Sequence, residues 1–111
     1  MSCIFCRIIK GEIPCSKVYE DDKVLAFDDI QPLAKVHTLI VPKEHIENLN
    51  GSIPADLWFA ILNAAKGIVK LKGIAESGYR LAINSGPDGT QIVPHLHVHI
   101  LGGQLLASKL G

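Results

Sequence analysis

The sequence predicts an α+β domain in which five antiparallel strands form one sheet and a single long helix covers one of its faces. Five short segments rich in β-branched and aromatic residues follow one another, with turn residues between them. One long amphipathic segment interrupts this succession after the third strand. At 111 residues, of which 48% are hydrophobic, the chain is expected to form one domain over residues 1–111.

The first elements are short. Residues 4–10 are expected to form a helix that Gly11 ends, and residues 17–20 and 24–28 are expected to form a hairpin. A third strand, residues 37–42, is rich in β-branched residues. Together these segments predict three neighbouring antiparallel strands.

The long helix is predicted to begin at Pro54, which is tolerated in a first helical turn, and to end near Gly73. Its apolar stripe consists of Leu57, Ile61, Ala65, Ile68 and Leu71, widened by Trp58, Leu62 and Val69. Gly67 costs roughly 1 kcal/mol relative to Ala inside a helix, so we expect a neighbouring element to pack closely there. Residues 79–84 and 95–101 are the last two predicted strands.

Composition excludes several classes of function. The 11 Lys and Arg residues balance the 11 Asp and Glu residues, so a basic surface that binds nucleic acid is not expected. No apolar run approaches the ~20 residues that span a bilayer, and the N-terminus carries charges where a signal peptide is apolar. We therefore expect a cytoplasmic protein with no membrane partner.

Three cysteines occur, Cys3, Cys6 and Cys15, and a reducing compartment disfavours a structural disulfide among them. The Cys3-x-x-Cys6 spacing is compatible with a metal site, a redox pair or coincidence. The residues alone leave these alternatives open.

The densest chemical signal is the segment PHLHVHILGG, residues 94–103. In a strand, His95, His97 and His99 would share one face at intervals of ~6.6 Å. The alternating residues Leu96, Val98 and Ile100 would then face the core under the helix. Such a row of histidines can be an ordinary polar face, a metal site or a set of groups that act directly in catalysis.

Each chemical alternative has its own support. Two His residues at i and i+2 can bind one zinc ion, although a hydrolytic HxHxDH site would need an Asp that this segment lacks. A neutral imidazole, with a pKa near ~6.5, is a competent nucleophile toward phosphorus. The loop of residues 86–91 contains two glycines, which allow backbone N–H groups to converge on an anion.

HLHVHIL matches the alternating signature of the histidine-triad (HIT) nucleotide hydrolases and transferases, and the chain resembles their Hint-like branch. The similarity extends over CIFCRIIKGEIP, YEDDKVLAFDDIQPLAKVHTLIVPKEHI, the long helix and AINSGPDGTQIVPHLHVHILGG. It implies a HIT-like fold with a five-stranded antiparallel sheet, one long helix and a short N-terminal helix. It also implies a homodimer with a continuous sheet.

The resemblance implies a hydrolase that cleaves nucleoside 5′-phosphoramidates or related nucleotide conjugates, with a purine as the expected base, at the α-phosphate. His97 would form a covalent nucleotidyl-histidine, His99 would assist proton transfer to the leaving amine, and His37 would support the site. Asp29 would bind both ribose hydroxyls. The other implied substrate contacts are Phe27, Asp28 and Ile30 near the base and Asn84, Gly89, Thr90, Gln91, Ile92, Val93, His97 and His99 near the phosphate.

Two features bear on specificity. Ile92 stands where Hint-like proteins commonly have a serine, and His99 stands where the transferase branches have glutamine, which favours hydrolysis. Hydrolysis of dinucleoside polyphosphates and nucleotide binding with little turnover are the alternative functions. The resemblance also implies a structural Zn²⁺ bound by Cys3, Cys6, His45 and His95, with no coordination position left open for water.

Overall fold

The computed structural model describes residues 3–108. Its sheet has the strand order β1-β2-β3-β5-β4, and every neighbouring pair is antiparallel. The predicted α+β class with five strands and two helices is confirmed. The elements are α1 (Ile4–Ile9), β1 (Lys17–Glu20), β2 (Val24–Asp28), β3 (Val36–Pro42), α2 (Ala55–Leu71), β4 (Tyr79–Ile83) and β5 (Val98–Gly102).

Helix α2 covers one face of the sheet and forms the larger core with it. Its buried residues are Leu57, Ile61, Ala64, Ala65, Ile68 and Val69. The predicted apolar stripe is therefore confirmed in its centre, but Leu62 and Leu71 are exposed. The expectation of a close neighbour at Gly67 is wrong, because a Cβ atom added there would meet nothing within 4 Å.

The opposite face of the sheet carries a smaller core. Phe5 of α1 packs there with Leu25, Phe27, Leu39 and Val41 of β2 and β3. Helix α1 is thus a partial cover for this face and not a separate unit. His95 and His97 lie beside Phe5, and His99 lies next to Leu39 on the same face.

The last strand begins later than the sequence predicted, at Val98 instead of His95. The preceding segment is irregular, and the Leu96 N–H donates to the carbonyl of Ile46, in the loop after β3. Alternation nevertheless persists, since Leu96, Val98 and Ile100 all lie in the core under α2, as predicted. Among residues 3–108, no helix has the length and apolarity needed to cross a membrane.

Candidate functional site

His97 and His99 face a cavity of about 740 Å³ between α1 and the sheet. His97 lies at its wall with one ring nitrogen fixed by the backbone. Its Nδ1 is 2.7 Å from the carbonyl oxygen of His95, and since a carbonyl can only accept, Nδ1 carries the proton. In the neutral ring Nε2 is therefore left with a free electron pair.

His37 and His99 form a second arrangement whose protons can be assigned. The backbone N–H of Leu33 donates to His37 Nδ1 at 3.0 Å, so the neutral ring of His37 carries its proton on Nε2. This Nε2 lies 2.9 Å from His99 Nδ1, which must accept. His99 then carries its own proton on Nε2, so His97 and His99 have complementary acceptor and donor nitrogens.

Burial keeps this pair neutral near pH 7. It lowers the pKa of His99 to about 4, and repulsion from His97 and His37 acts in the same direction. Burial likewise lowers the pKa of His37. The Asp29 carboxylate opposes both shifts, because its negative charge favours the protonated rings.

The two neighbouring aspartates at the end of β2 have different surroundings. Asp29 accepts the Gln31 N–H at 2.9 Å, and its other carboxylate oxygen lies 3.6 Å from His37 Nε2. Asp28 instead accepts the Thr38 hydroxyl at 2.8 Å and the Lys72 ammonium at 2.9 Å, beside the end of α2. The carboxylate of Asp28 is thus engaged in holding the sheet to α2.

The loop between β4 and β5 is held by its own side chains. Asn84 Nδ2 donates to the carbonyl of Gly89 at 2.8 Å, and a Cβ added to Gly89 would lie 2.5 Å from the carbonyl oxygen of Ser85. Gln91 accepts the Gly86 N–H and donates to two carbonyl groups, those of Glu47 and Val93. The Gln91 amide is therefore committed to bracing the loop.

Most of the predicted substrate contacts line the cavity. They are Phe27, Asp28, Asp29, Ile30, Asn84, Thr90, Ile92, Val93, His97 and His99. Gly89, Gln91 and His37 do not line it. Thr90 is also the one described residue other than glycine with a positive φ, 59°, an unfavourable conformation for a β-branched side chain.

The sequence analysis did not predict that the N-terminal segment forms one wall of the cavity. Its residues are Ile4, Phe5, Ile8, Ile13, Pro14 and Cys15. The available signal was a six-residue helix, too short to be stable by itself, whose apolar residues needed a surface to cover. The location of that surface depended on contacts far away in the sequence.

Beside this wall, Cys3, Cys6, His45 and His95 come together as one cluster. Their four potential ligand atoms lie within 4.8 Å of one another. His95 Nδ1 is 3.3 Å from the sulfur of Cys3 and 3.1 Å from His45 Nδ1. Because His95 Nε2 must donate to the carbonyl of Pro42, at 2.9 Å, its Nδ1 keeps a free electron pair toward the cluster.

This donor set fits a tetrahedral zinc ion. Two thiolates and two imidazoles are a common structural zinc ligand set, and bond lengths of ~2.0–2.3 Å place ligand atoms about 3.5 Å apart. Phe5 lies between the cluster and the cavity. Its ring makes edge-to-face contacts with His95 and His97, at centroid distances of 5.7 and 5.1 Å.

Comparisons with known proteins agree with this geometry. A 14 kDa zinc-binding protein from Zea mays is 49% identical over 106 residues, which cover 91% of this chain and 81% of that protein. The adenylylsulfatase HINT1 of Arabidopsis thaliana is 47% identical over 106 residues, 91% of this chain and 71% of that protein. The crystal structure of a HIT family hydrolase from Legionella pneumophila superposes with a TM-score of 0.95 at 43% identity, covering 99% of this chain and 100% of that one. The HIT domain family matches residues 10–105, and the chain belongs to this family.

Proposed function

We propose that the protein is a nucleotide hydrolase that cleaves nucleoside 5′-phosphoramidates, or related conjugates, at the α-phosphorus. The observation that carries the proposal is that the imidazole rings of His97 and His99, at one cavity, have complementary protonation at Nε2. His97 offers an unprotonated Nε2, and His99 offers an Nε2–H. A nucleophile and a proton donor side by side are what displacement of an amine from phosphorus requires.

The rest of the cavity suits a nucleotide. Its volume of about 740 Å³ lies in the range typical of small-molecule sites. The apolar residues of α1 and β2 offer surfaces on which a base can stack, with Phe5 and Phe27 among them. The Asp29 carboxylate can accept hydrogen bonds from ribose hydroxyls, and Asn84 and the backbone of residues 90–93 lie on the phosphate side in this proposal.

The reaction then has two steps. His97 attacks phosphorus and the amine leaves with a proton, which produces a nucleotidyl-histidine. Water attacks the same phosphorus, releases the nucleoside monophosphate and regenerates His97. In this scheme His37 acts through His99, because it does not line the cavity.

Trapping of the intermediate tests the proposal. Protein incubated with adenosine 5′-phosphoramidate, quenched in alkali and digested without an acid step should yield a peptide with adenylylated His97 in mass spectra. His97→Asn is the matched variant, since its amide can still donate to the His95 carbonyl. Normal AMP release by a folded His97→Asn protein would overturn the assignment.

Other substrates share the same chemistry at phosphorus. The adenylylsulfatase relative makes adenylyl sulfate a second candidate, and dinucleoside polyphosphates are a third. Values of kcat/KM for these compounds and for the phosphoramidate should rank them directly. Tight binding of AMP with no turnover of any substrate would instead support a nucleotide-binding module.

We also propose that Cys3, Cys6, His45 and His95 bind a structural Zn²⁺. Four protein ligands would leave no open position, so the ion would tie the N-terminal segment to the start of the catalytic segment and would not activate water. Cys3→Ser should lose bound zinc and lower the melting temperature. Cys15→Ser is the matched control, because Cys15 lies outside the cluster, and zinc at full occupancy in Cys3→Ser would contradict the ligand assignment.

A homodimer is the third part of the proposal. Strand β4 is an edge of the sheet, with Tyr79 and Leu81 partly exposed. The other edge, β1, is only four residues long and carries a charge at each end, features that discourage pairing. We expect two β4 strands to pair and continue the sheet.

Light scattering coupled to gel filtration measures this association. Leu81→Glu should shift the protein toward the monomer, whereas Lys17→Glu, on the opposite edge, should not. A wild-type protein that is monomeric at all concentrations would refute the dimer.

A further inference from the structure

We propose that Asp29 is a positioning residue for proton delivery: its carboxylate accepts the His37 N–H when the His37 and His99 pair takes up the proton that the leaving amine needs. The inference rests on the proposed function and adds a second role to a residue assigned above only to ribose. The observation behind it is the distance of 3.6 Å between Asp29 Oδ2 and His37 Nε2.

The neutral pair cannot supply that proton by itself. It holds two ring protons, one on His37 Nε2 and one on His99 Nε2. Loss of the His99 proton from this state would leave an anion on the pair beside the Asp29 carboxylate. The pair must therefore carry a third proton when the amine leaves.

The geometry leaves one place for this proton. His37 Nδ1 is occupied by the Leu33 N–H, and His99 Nε2 is already protonated, so the third proton enters at His99 Nδ1. Two N–H groups would then oppose each other across 2.9 Å unless one of them finds another acceptor. Asp29 Oδ2 is the carboxylate oxygen positioned to accept the His37 N–H.

The steps balance in this scheme. The electron pair on His97 Nε2 forms the new N–P bond, while the electron pair of the broken P–N bond stays on the amine, which takes the His99 Nε2 proton. The amine leaves neutral, and the pair returns to two ring protons. In the second step a water oxygen bonds to phosphorus and the N–P electron pair returns to His97. One water proton goes to His99 Nε2 and restores the third proton, and the other stays on the released monophosphate.

The charges around the pair are consistent with this role. His37 and His99 face each other from β3 and β5, with His97 from the segment before β5 and Asp29 from the turn after β2 as their other titratable neighbours in the described chain. Repulsion from His97 disfavours a positive charge on the pair, and attraction to the Asp29 carboxylate favours that charge. The phosphate of a bound substrate would add further negative charge on the same side.

A comparison of leaving groups separates this role from ribose binding. The N-butyl phosphoramidate of AMP needs a proton on its leaving nitrogen, whereas 4-nitrophenyl AMP releases a stable anion. Loss of a ribose contact in Asp29→Asn should affect both equally. We expect the ratio of kcat/KM for the amide to that for the ester to fall about tenfold, since one pKa unit is a factor of ten.

Asp22→Asn, an exposed change on the β1–β2 turn, is the charge-matched control and should leave the ratio unchanged. Equal losses on both substrates, or no loss, would overturn the role of Asp29. NMR titration of the His37 ring in the ligand-free protein is an independent readout, and Asp29→Asn should lower its midpoint by roughly one pH unit. If the wild-type protein hydrolyses neither compound, the proposed function fails, while an unchanged midpoint would count against Asp29 alone.

Discussion

Burial of His99 predicts that the protein loses stability as the pH falls below about 6.5. In the folded protein the pKa of His99 is lowered from 6.5 to about 4, chiefly by burial. The unfolded chain therefore binds the proton first, and between these two values acid favours unfolding. Linkage applied to this single group gives a loss of about 2 kcal/mol in the free energy of unfolding from pH 7 to pH 5.

Urea unfolding at the two pH values measures this loss. His99→Gln removes the titrating ring but keeps an amide oxygen that can accept the His37 N–H. With a chelator present throughout, so that metal release does not contribute, the wild-type protein should lose about 2 kcal/mol more than the variant on acidification. Equal losses in the two proteins would refute the claim that His99 is held neutral by burial, whatever their stabilities at pH 7.

Three further predictions concern helix α2 and the loop between β4 and β5. Gly67→Ala should raise the free energy of unfolding by about 0.5–1 kcal/mol in urea titrations, because the added methyl group meets nothing in the described chain, and a loss would instead indicate that another chain packs there. Gly89→Ala should weaken AMP binding in calorimetry, because its Cβ would force the loop away from Ser85; unchanged affinity would show that the loop is not needed. Gln91→Glu should lower the free energy of unfolding by about 1 kcal/mol in urea titrations, because the variant loses two donated hydrogen bonds. Gln104→Glu is the control and should leave stability unchanged, because the Gln104 side chain only accepts the Lys35 N–H. Equal stability of these two Glu variants would contradict the bracing role.

The periodicities of the sequence were sufficient to predict the sheet and the helix. Residues 24–28 and 36–42 are buried strands whose β-branched and apolar content is visible in the chain, and α2 buries the centre of its predicted stripe. The edges of that stripe were not predictable. Leu62 and Leu71 have the right spacing but are exposed, because spacing along a helix does not tell which of its flanks another element covers.

The residue types of the candidate site were predicted from the sequence, but the protonation states of its imidazole rings were not. Alternation placed His97 and His99 on one face, which requires only a period of two. Which nitrogen of each ring carries a proton depends on partners outside the motif. The Leu33 N–H, which fixes the tautomer of His37, has no signature in the sequence, because any residue other than proline could donate it.

The late start of β5, at Val98, fixes ring tautomers that the sequence could not predict. His95 and His97 each donate one ring proton to a backbone carbonyl, those of Pro42 and His95, and so present the other nitrogen with a free electron pair. The carbonyl of His95 is available for this because the ladders with β3 and β4 begin only at Val98. In a strand regular from residue 95, that carbonyl would point along the sheet toward a neighbouring strand and would not meet the ring of His97. The irregular segment that the sequence prediction assigned to the strand is thus what lets His95 present Nδ1 to the cysteines while His97 presents Nε2 to the cavity.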